Sequence, residues 1–470
     1  MNQDAADTTV GKAKLTHHQP PSPIFAEFMK SGWAPSDRTD LQPLDVVTYA
    51  YSRRQVLSAA FPNSRIVIKA GGYKVRANDT DYNYRPDSAF VYYSGVQGSD
   101  ATADAVLVLE PSGDSHLTYL YMNPRSTRDT DAFYRDVKYG ELWAGRRFTL
   151  AEAQETYQID TRNLSELDSL MADSKRTLTT DDEELVVFMS EQRLCKDEYE
   201  IHQMQKAVDA TALGFNDVIH AIPAAVETPR GERVLDAAFY GRARITGNDL
   251  GYNTIVGAGS HACVLHWIRN DGDIHRGELV LVDAGVELDS FYTADITRTL
   301  PVNGIFSPSQ RALYMLVYEA QLAGFAAIKP GVLFSDINRA CQTVLAQGLA
   351  DMGVLTVSAE ESLKPEVGLH RRWTLHGVSH HLGLDVHDCA QARKELYLDA
   401  PLREGMVLTV EPGLYIQPDD ELFAPEYRGI GIRIEDDIVV TADGYRNLSE
   451  NIPRHPDDIE KWMQTLLGRQ

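Results

Sequence analysis

Four carboxylates and one imidazole follow one another along the C-terminal half of this chain, each in or beside a short apolar segment. They are Asp283, Asp295, His380, Glu411 and Glu435. A buried carboxylate is unfavourable unless it is paired or binds a cation, and several of them together repel one another. Two divalent metal ions would remove that repulsion. The pattern therefore predicts a dinuclear metal site.

The ligand types indicate which ions and which chemistry to expect. Oxygen-rich sets suit hard cations, so Mn²⁺ is the first expectation, with Co²⁺ or Zn²⁺ as alternatives. Two such ions, about 3.5–4 Å apart, can share a bridging hydroxide and stabilise both the attacking and the leaving atoms of a hydrolysis. We therefore interpret the chain as a metallohydrolase.

Two predicted strands position the aspartates. The apolar residues 279–282 run into Asp283, and residues 291–300 form a second strand that contains Asp295. If the hairpin between them is centred on Asp289, the two carboxylates lie directly opposite each other, with Cβ atoms about 5 Å apart. The alternative is a pair of aspartates at strand ends, exposed to solvent.

Histidines are concentrated in residues 376–388, which include four of the 14 in the chain: His376, His380, His381 and His387. The segment is not an HExxH helix motif, since Gly377 stands in place of the glutamate, and its glycines favour a loop or a strand. A single core histidine is usually satisfied by hydrogen bonds alone, but this density indicates a functional cluster.

The two glutamates belong to a second predicted pair of strands. Residues 406–411 form a β-branched strand that ends in Glu411, and residues 431–437 alternate so that Glu435 shares a face with Arg433. Glu411 thus ends an apolar strand, where an uncompensated charge is unfavourable. An ion pair with Arg433 is the alternative to a metal ion at that position.

The chain is too long, at 470 residues, for one ordinary core, so two domains are expected. Residues 1–22 lack apolar periodicity and are interpreted as a flexible N-terminal arm. Residues 23–189 are interpreted as a mixed α/β domain, with strands at 64–70 and 90–93 and a hairpin over 105–122.

The expected catalytic domain spans residues 190–470 and contains every polar cluster described above. A helix capped by Asp197 marks its beginning, with Glu200 three residues later in the pattern of a capping box, and Pro223 is expected to end that helix. Helices alternate with strand pairs beyond this point. The fold class is therefore expected to be α/β (α+β).

Composition limits the partners and the compartment. The formal net charge of −23 argues against nucleic acid and anionic membranes, which attract basic surfaces. The sequence has no run of about 18 apolar residues, so no transmembrane segment is expected, and its polar first residues do not resemble a secretion signal. The four cysteines form no CxxC pair, which favours a reducing compartment. A cytoplasmic location is therefore expected.

Three motifs carry a resemblance to a known family. They are HGxxHxxGxxxHD at residues 376–388, TVEPGLY at 409–415 and GIRIED at 431–436, and they occur together with Asp283 and Asp295. This set resembles the proline-specific metallopeptidases of the pita-bread fold.

The N-terminal half supports the same resemblance. Residues 76–88, with the sequence RANDTDYNYRPDS, are similar to part of the accessory domain of Xaa-Pro aminopeptidase (aminopeptidase P) and of the longer prolidases. The resemblance implies a C-terminal pita-bread (creatinase/aminopeptidase) fold and an N-terminal mixed α/β, creatinase-like accessory domain.

The resemblance also implies a role for each of the five ligands. Asp283 would bind one ion, Asp295 and Glu435 would bridge the two ions, and His380 and Glu411 would complete the second. Glu411 would in addition be a catalytic residue, because it would accept the proton of the attacking water and pass it to the leaving nitrogen.

Five further side chains take implied roles around the ions. His266 and His387 would be catalytic and substrate-binding, stabilising the tetrahedral intermediate or positioning the proline. His376 would line the substrate pocket. Arg433 and Tyr415 would hold the ligating carboxylates through hydrogen bonds.

The function that the resemblance implies is metal-dependent hydrolysis of the N-terminal Xaa-Pro bond of peptides, by a hydroxide that bridges two divalent ions. Peptides with proline second are the expected partners, and a homodimer or homotetramer is the expected assembly. Xaa-Pro dipeptidase (prolidase) is the alternative within the enzyme class. A non-catalytic pita-bread binding protein is a remote alternative, because such proteins have lost ligands that this chain retains.

Overall fold

The computed structural model describes residues 22–173 and 175–468, and it divides the chain into two compact units between Asp182 and Glu183. The expected boundary between residues 189 and 190 falls inside a helix of the second unit. The expected flexible arm lies outside the described residues apart from its last one. Within the described ranges no helix is long and apolar enough to cross a membrane.

The first unit combines short helices with one five-stranded sheet. Its described helices are α1 (Pro23–Met29), α2 (Val47–Ala60), α3 (Ser88–Ser94), α4 (Ala132–Arg135), α5 (Glu141–Ala144), α6 (Leu150–Tyr157) and α7 (Leu167–Met171). Its described strands are β1 (Arg65–Lys69), β2 (Val75–Ala77), β3 (Thr80–Asp81), β4 (Val106–Ser112), β5 (Ser115–Met122), β6 (Asp160–Asn163) and β7 (Thr177–Thr179). The sheet has the order β6-β5-β4-β1-β7, and β2 pairs with β3 separately.

The inner strands of this sheet follow the sequence prediction. β1 lies within the predicted strand, and β4 and β5 form the predicted hairpin, with Leu107 opposite Leu120. Residues 66–68 are all buried, which places β1 in the core of the unit. The prediction of both elements is confirmed.

The predicted strand at 90–93 is wrong, because these residues lie in helix α3. Asp87 caps the helix by accepting hydrogen bonds from the amides of Ala89 and Phe90, and Gly95 ends it with a left-handed φ of 73°. Residues 90–93 are all buried. A short apolar run that is buried on every side has no periodicity, so its caps decide its structure.

The second unit contains the elements that carry the polar clusters. Its helices are α8 (Glu183–Gln192), α9 (Glu198–Glu227), α10 (Gly231–Thr246), α11 (Pro308–Ala327), α12 (Phe334–Asp351), α13 (Ala359–Ser362), α14 (Lys394–Tyr397) and α15 (Pro456–Leu466). Its strands are β8 (Asp249–Leu250), β9 (Ile255–Ala258), β10 (Leu279–Ala284), β11 (Val286–Glu287), β12 (Ile296–Pro301), β13 (Val407–Val410), β14 (Gly413–Tyr415), β15 (Gly431–Arg433), β16 (Asp436–Val440) and β17 (Tyr445–Asn447).

Two three-stranded sheets form the centre of this unit, with the orders β12-β10-β9 and β13-β16-β17. Helices α9 and α10 pack on each other, with α10 against the first sheet, and α11 and α12 pack on each other, with α11 against the second. Arg298 on β12 connects the sheets. Its buried guanidinium donates to the Asp436 carboxylate at 2.7 Å and to the Glu435 carbonyl at 2.6 Å. The ends of the two sheets are therefore held together where the acidic residues lie.

Helix α9 begins at the predicted residue but extends beyond the predicted end. Asp197 and Glu200 form a capping box, as expected. The helix continues past Pro223, and the buried Ile222 and Ala225 on either side of the proline belong to its packed face. Burial of that face offsets the roughly 3 kcal/mol by which an internal proline destabilises a helix.

The hairpin between β10 and β12 is centred one residue later than predicted. Asp283 pairs with Thr297, so the turn is centred on Ser290. Phe291 adopts a left-handed φ of 66° in this turn, and the local pattern of residues did not indicate that conformation. Asp295 is therefore a diagonal neighbour of Asp283 on the same face of the sheet, and not its direct partner.

Candidate metal centre

His380 lies at the centre of the predicted site, and its hydrogen bonds determine its protonation. Its Nδ1 is 3.1 Å from the carbonyl of His381, which can only accept, so Nδ1 carries a proton. Its Nε2 lies 3.3 Å from Oδ2 of Asp295 and 3.5 Å from Oε1 of Glu411. A neutral ring would direct a lone pair at two carboxylates. A proton or a metal ion must therefore lie between Nε2 and these carboxylates.

Asp295, His380 and Glu435 offer ligand atoms that all lie within 4.8 Å of one another. The buried Glu435 carboxylate accepts a hydrogen bond from the Thr297 hydroxyl at 2.7 Å. Its backbone is held on both sides, because its amide donates to the Thr297 carbonyl and its carbonyl accepts from Arg298. Strand β12 thus directs the Glu435 carboxylate toward the other two ligands.

Asp283 has a partner at each carboxylate oxygen. Oδ2 accepts from Arg433 at 2.5 Å, and Oδ1 lies 2.5 Å from the Tyr252 hydroxyl, which also contacts Asp295. The predicted alternative, an ion pair between Arg433 and Glu411, is wrong. The Arg433 amide donates to the Thr299 hydroxyl of β12, and its Nε donates to the Thr297 hydroxyl, which directs the guanidinium toward Asp283 on the neighbouring β10.

Glu411 follows β13 and lies between two histidines. Its Oε1 is 3.5 Å from Nε2 of His380 and 3.4 Å from the Thr409 hydroxyl, and its Oε2 is 3.6 Å from Nδ1 of His376. The Glu411 side chain is 14% exposed, whereas that of Asp295 is 7% exposed. Glu411 is thus more open than Asp295 to water and substrate.

A chain of hydrogen bonds connects the two sides of the site. Arg433 donates to the Tyr415 hydroxyl at 3.0 Å, and that hydroxyl lies 2.8 Å from Nε2 of His376. Nδ1 of His376 donates to the Gly377 carbonyl at 2.8 Å, so Nε2 accepts and Tyr415 is the donor. Tyr415 therefore orients Arg433 and His376. Both Arg433 and Tyr415 were expected to hold ligating carboxylates, but the direct contact is made by Arg433.

Burial and mutual repulsion make the acidic groups retain protons. Burial and the charge of Asp295 raise the pKa of Glu435 well above its ordinary value. Burial, opposed by attraction to His380, raises the pKa of Glu411 to about 7. Burial disfavours a charge on His380, but its hydrogen bond with Asp295 and the charge of Glu411 raise its pKa to about 9. The cluster therefore holds protons at neutral pH that divalent cations would displace.

The arrangement fits divalent cations. It combines carboxylates with an imidazole whose Nδ1–H donates to a backbone carbonyl, one of the usual partners of a ligating histidine. Four acidic groups meet there. Arg433 is permanently charged and pairs with one of them, Asp283. The residues that would hold two ions are Asp283, Asp295, His380, Glu411 and Glu435.

The histidines with expected substrate roles lie around this centre. The rings of His387 and His380 pack edge to face, with centroids 4.6 Å apart. His266 is exposed on the loop after β9. Burial lowers the pKa of His376 to about 4, and the charge of Arg433 adds to this effect. Burial and the charge of His380 also lower the pKa of His387. His376 and His387 are therefore neutral at pH 7.

Two residues of the centre were not predicted from the sequence. Tyr252 precedes β9, in a segment with no motif, and its hydroxyl joins Asp283 and Asp295. Asp437 on β16 is fully buried and accepts a hydrogen bond from the Asp295 amide at 3.0 Å. The sequence could have indicated Asp437, because the alternation of residues 431–437 places it on the same face as Glu435. Tyr252 had no comparable signal, because only the folded chain brings it to the aspartates.

A buried ion cluster anchors the loop that bears His387. The carboxylate of Asp388 accepts a hydrogen bond from Lys196 at 2.9 Å and contacts Arg193, which also pairs with Asp385 at 2.7 Å. Burial opposes the charge of Asp388, but Arg193 and Lys196 hold its pKa below the ordinary value. Because both basic residues precede α9, the loop is tied to the beginning of that helix.

We expect Lys196→Met to lower the free energy of unfolding by about 3–5 kcal/mol, because it removes one partner of a buried charged cluster. Urea unfolding followed by circular dichroism measures the change. Lys394→Met is the matched control: Lys394 pairs with Asp399 at 3.2 Å, but its side chain is 66% exposed, so the expected loss is at most about 1 kcal/mol. Equal losses in the two variants would contradict an anchoring role for Lys196.

Comparison with known proteins defines the class to which this fold and site belong. Residues 202–442 match the model of metallopeptidase family M24, and residues 50–181 match that of the aminopeptidase P N-terminal domain. The chain belongs to metallopeptidase family M24. The expected fold class, a pita-bread catalytic domain preceded by an accessory domain, is thereby confirmed.

Individual relatives are similar over most of the chain. Xaa-Pro aminopeptidase 1 of Streptomyces coelicolor is 49% identical over 463 residues, which cover 94% of this chain and 92% of that protein. Xaa-Pro aminopeptidase of Escherichia coli is 34% identical over 452 residues, which cover 87% and 96%. Aminopeptidase PepP of Pseudomonas aeruginosa has a similar solved structure, with a TM-score of 0.79 at 29% identity over 91% and 100% of the chains. Zinc-substituted Escherichia coli aminopeptidase P in complex with product has a TM-score of 0.78 at 30% identity over 90% and 99%.

Proposed function

We propose that this protein is a metal-dependent Xaa-Pro aminopeptidase, which removes the N-terminal residue from peptides with proline at the second position. The relatives above are Xaa-Pro aminopeptidases, and their similarity covers both units of the chain. The observation that carries the proposal is the convergence of Asp295, Glu411 and Glu435 around His380. A binding protein without catalysis would not need this costly concentration of acidic groups.

A divalent ion bound at this site supplies Lewis-acid chemistry, because it polarises the scissile carbonyl and lowers the pKa of water. We propose two ions per subunit, held by the five ligands. Mn²⁺ is the first candidate, since four of the five ligands are carboxylates, and Co²⁺ is the second. The zinc-substituted neighbour supports Zn²⁺ as a further occupant.

Glu411 is assigned the proton transfer. Its carboxylate is partly open to water and substrate, and a positioned carboxylate can accept a proton and release it again during a reaction. Glu411 accepts a proton from the attacking water at a carboxylate oxygen and delivers it to the proline nitrogen as the peptide bond breaks. The positive charge of Arg433 favours the charged form of Glu411.

His266 and His387 are assigned to the substrate. A bond that precedes proline has no N–H, so recognition cannot use that donor and must rely on the shape of the ring and on the carbonyl oxygens. The neutral His387 can donate a hydrogen bond to the oxygen that becomes negative during the reaction. His376 lines the same space beside Glu411.

We also propose a cytoplasmic homo-oligomer, a homodimer or homotetramer. All four cysteines are free and three of them are buried, which suits a reducing compartment. The net charge of −23 disfavours nucleic acid and anionic membranes as partners. Size-exclusion chromatography with light scattering measures the number of subunits.

The experiment that tests the function compares two substrates. Purified protein receives Mn²⁺, Co²⁺ or Zn²⁺ and either the dipeptide Gly-Pro or a longer Xaa-Pro peptide. We expect a higher kcat/KM for release of the first residue from the longer peptide. Preference for Gly-Pro would instead identify a prolidase. A protein that binds the ions and cleaves neither substrate would be the non-catalytic binding protein.

His387→Ala is expected to lower kcat by about 10²–10³-fold with both ions still bound, because this imidazole faces the substrate. Turnover and metal content, measured on the same sample, check the prediction. His220→Ala, at an exposed position on α9, is the control and should keep normal turnover. Loss of metal together with turnover would make His387 a ligand.

A further inference from the structure

A buried carboxylate outside the metal centre, that of Glu232 on α10, organises the loop that follows β9. Its Oε1 accepts hydrogen bonds from the Ala258 amide at 2.9 Å and from Nδ1 of His261 at 2.8 Å. Its Oε2 accepts from the Gly272 amide at 2.7 Å and from Nε1 of Trp267 at 2.8 Å. Glu232 has no exposed surface. One side chain thus binds the start, the middle and the end of this loop.

The four hydrogen bonds saturate the Glu232 carboxylate. A carboxylate has about four lone-pair positions, and Nδ1 of His261 must carry a proton because its partner can only accept. No acceptor position is left for a cation, so Glu232 is not a further metal ligand. Gly272 permits the close approach, since a Cβ at that residue would lie 2.5 Å from the His261 ring. The group is therefore built to hold the loop.

Trp267 connects this anchor to the neighbouring His266. The indole donates to Glu232 and stacks on the ring of His261, with centroids 3.9 Å apart and an interplanar angle of 23°. Leu265 and Trp267 also pack against a buried cluster that includes Tyr415 of the site. Both neighbours of His266 along the chain are thus fixed, whereas His266 itself is exposed. Few backbone orientations remain for a residue between two fixed neighbours.

We propose that Glu232 is a positioning residue for the reaction: through Trp267 and His261 it orients the loop so that His266 meets the substrate. The inference rests on the proposed function and extends it to a helix residue that contacts none of the five ligands. Because a misplacement of about 1 Å can lower a rate by about 10²-fold, the orientation of this loop has a large kinetic effect.

The first test is Trp267→Phe, which removes the indole N–H and keeps a ring that can stack on His261. We expect kcat toward an Xaa-Pro peptide to fall by about 10-fold, with metal content unchanged. Trp462→Phe is the matched control, because it also removes an indole hydrogen bond of 2.8 Å, to Asn216, outside this loop. The control variant should keep the wild-type kcat.

A second variant, Glu232→Gln, disturbs the anchor directly. The amide nitrogen faces two donors in either orientation, and only His261 can change tautomer to accept from it, so at least one of the four hydrogen bonds is lost. We expect kcat to fall by about 10²-fold. If the buried amide prevents folding, Trp267→Phe tests the proposal without it.

A double-mutant cycle separates positioning from general destabilisation. In a His266→Ala background, Trp267→Phe should cause no further loss of kcat, because the side chain that it positions is absent. Losses that multiply would overturn the proposal while leaving the proposed function intact. A wild-type protein that cleaves no Xaa-Pro peptide with any of the three ions would overturn the proposed function and this inference with it. The two failures are thereby distinguished.

Discussion

Glu411→Gln is expected to lower kcat toward an Xaa-Pro peptide by about 10²–10⁴-fold. Glutamine has nearly the size of glutamate, but its amide can neither accept nor release the proton that the reaction moves. The other four ligands remain, and the amide oxygen is still a ligand atom, so some metal binding should persist. Steady-state kinetics at saturating Mn²⁺, with metal analysis of the same sample, measure both effects.

The control for this variant is Glu404→Gln, the same change at an exposed position shortly before β13. It should keep both turnover and metal content. Near-normal turnover of Glu411→Gln would remove this residue from the proton transfer. Loss of all bound metal would show that Glu411 acts chiefly as a ligand, and the catalytic assignment would then need another base.

Removal of the metal ions is expected to abolish turnover completely and reversibly. After dialysis against EDTA the protein should cleave no Xaa-Pro peptide, and Mn²⁺, Co²⁺ or Zn²⁺ should restore cleavage. Metal should also stabilise the fold, by about 2.7 kcal/mol at a free concentration 100 times Kd, because the unfolded chain lacks the assembled ligands. Full turnover in EDTA, with metal analysis showing no bound ion, would contradict the proposed chemistry.

The stability of the metal-free protein should fall as the pH rises. In the folded state the pKa is raised to about 7 for Glu411 and to about 9 for His380. At a pH between the unfolded-state pKa and the folded-state pKa of either group, the folded protein therefore binds more protons than the unfolded chain. Their contribution to stability is present at low pH and is lost as the pH rises through 7 and 9. The Tm in EDTA should therefore be lower at pH 8 than at pH 5.5.

Saturating Mn²⁺ provides the comparison for this pH series. The ions displace the retained protons, so the difference in Tm between the Mn²⁺ and EDTA samples should be larger at pH 8 than at pH 5.5. This difference removes the general effect of the net charge of −23, which is the same in both samples. A difference that shrinks toward pH 8 would contradict the raised pKa values.

The sequence indicated the chemistry of the site because the cost of burying charge depends on residue type. Carboxylates at the ends of apolar strands, such as Asp283 and Glu411, need compensation wherever they meet. The same reasoning does not show which partner provides it. Arg433 pairs with Asp283, because β12 lies beside β10 and the Thr297 hydroxyl of β12 orients the guanidinium.

The elements were predicted well where local periodicity decides the structure and poorly where packing does. Strands β1, β10 and β13 and the β4–β5 hairpin follow from apolar runs bounded by turn residues. Helix α3 and the extension of α9 past Pro223 do not, because burial on several sides hides the period of α3 and packing offsets the cost of the proline.

The sequence by itself determined the family, the order of the ligands and the kind of chemistry, because these depend on residue types within short motifs. The tertiary structure decided the register that places Asp283 opposite Thr297, and not opposite Asp295. The turn of this hairpin contains Phe291 in a left-handed conformation. The tertiary structure also decided that Tyr252 joins the two aspartates and that Glu232 holds the loop of His266. Such contacts join residues distant in sequence, and their geometry depends on how sheets and helices pack.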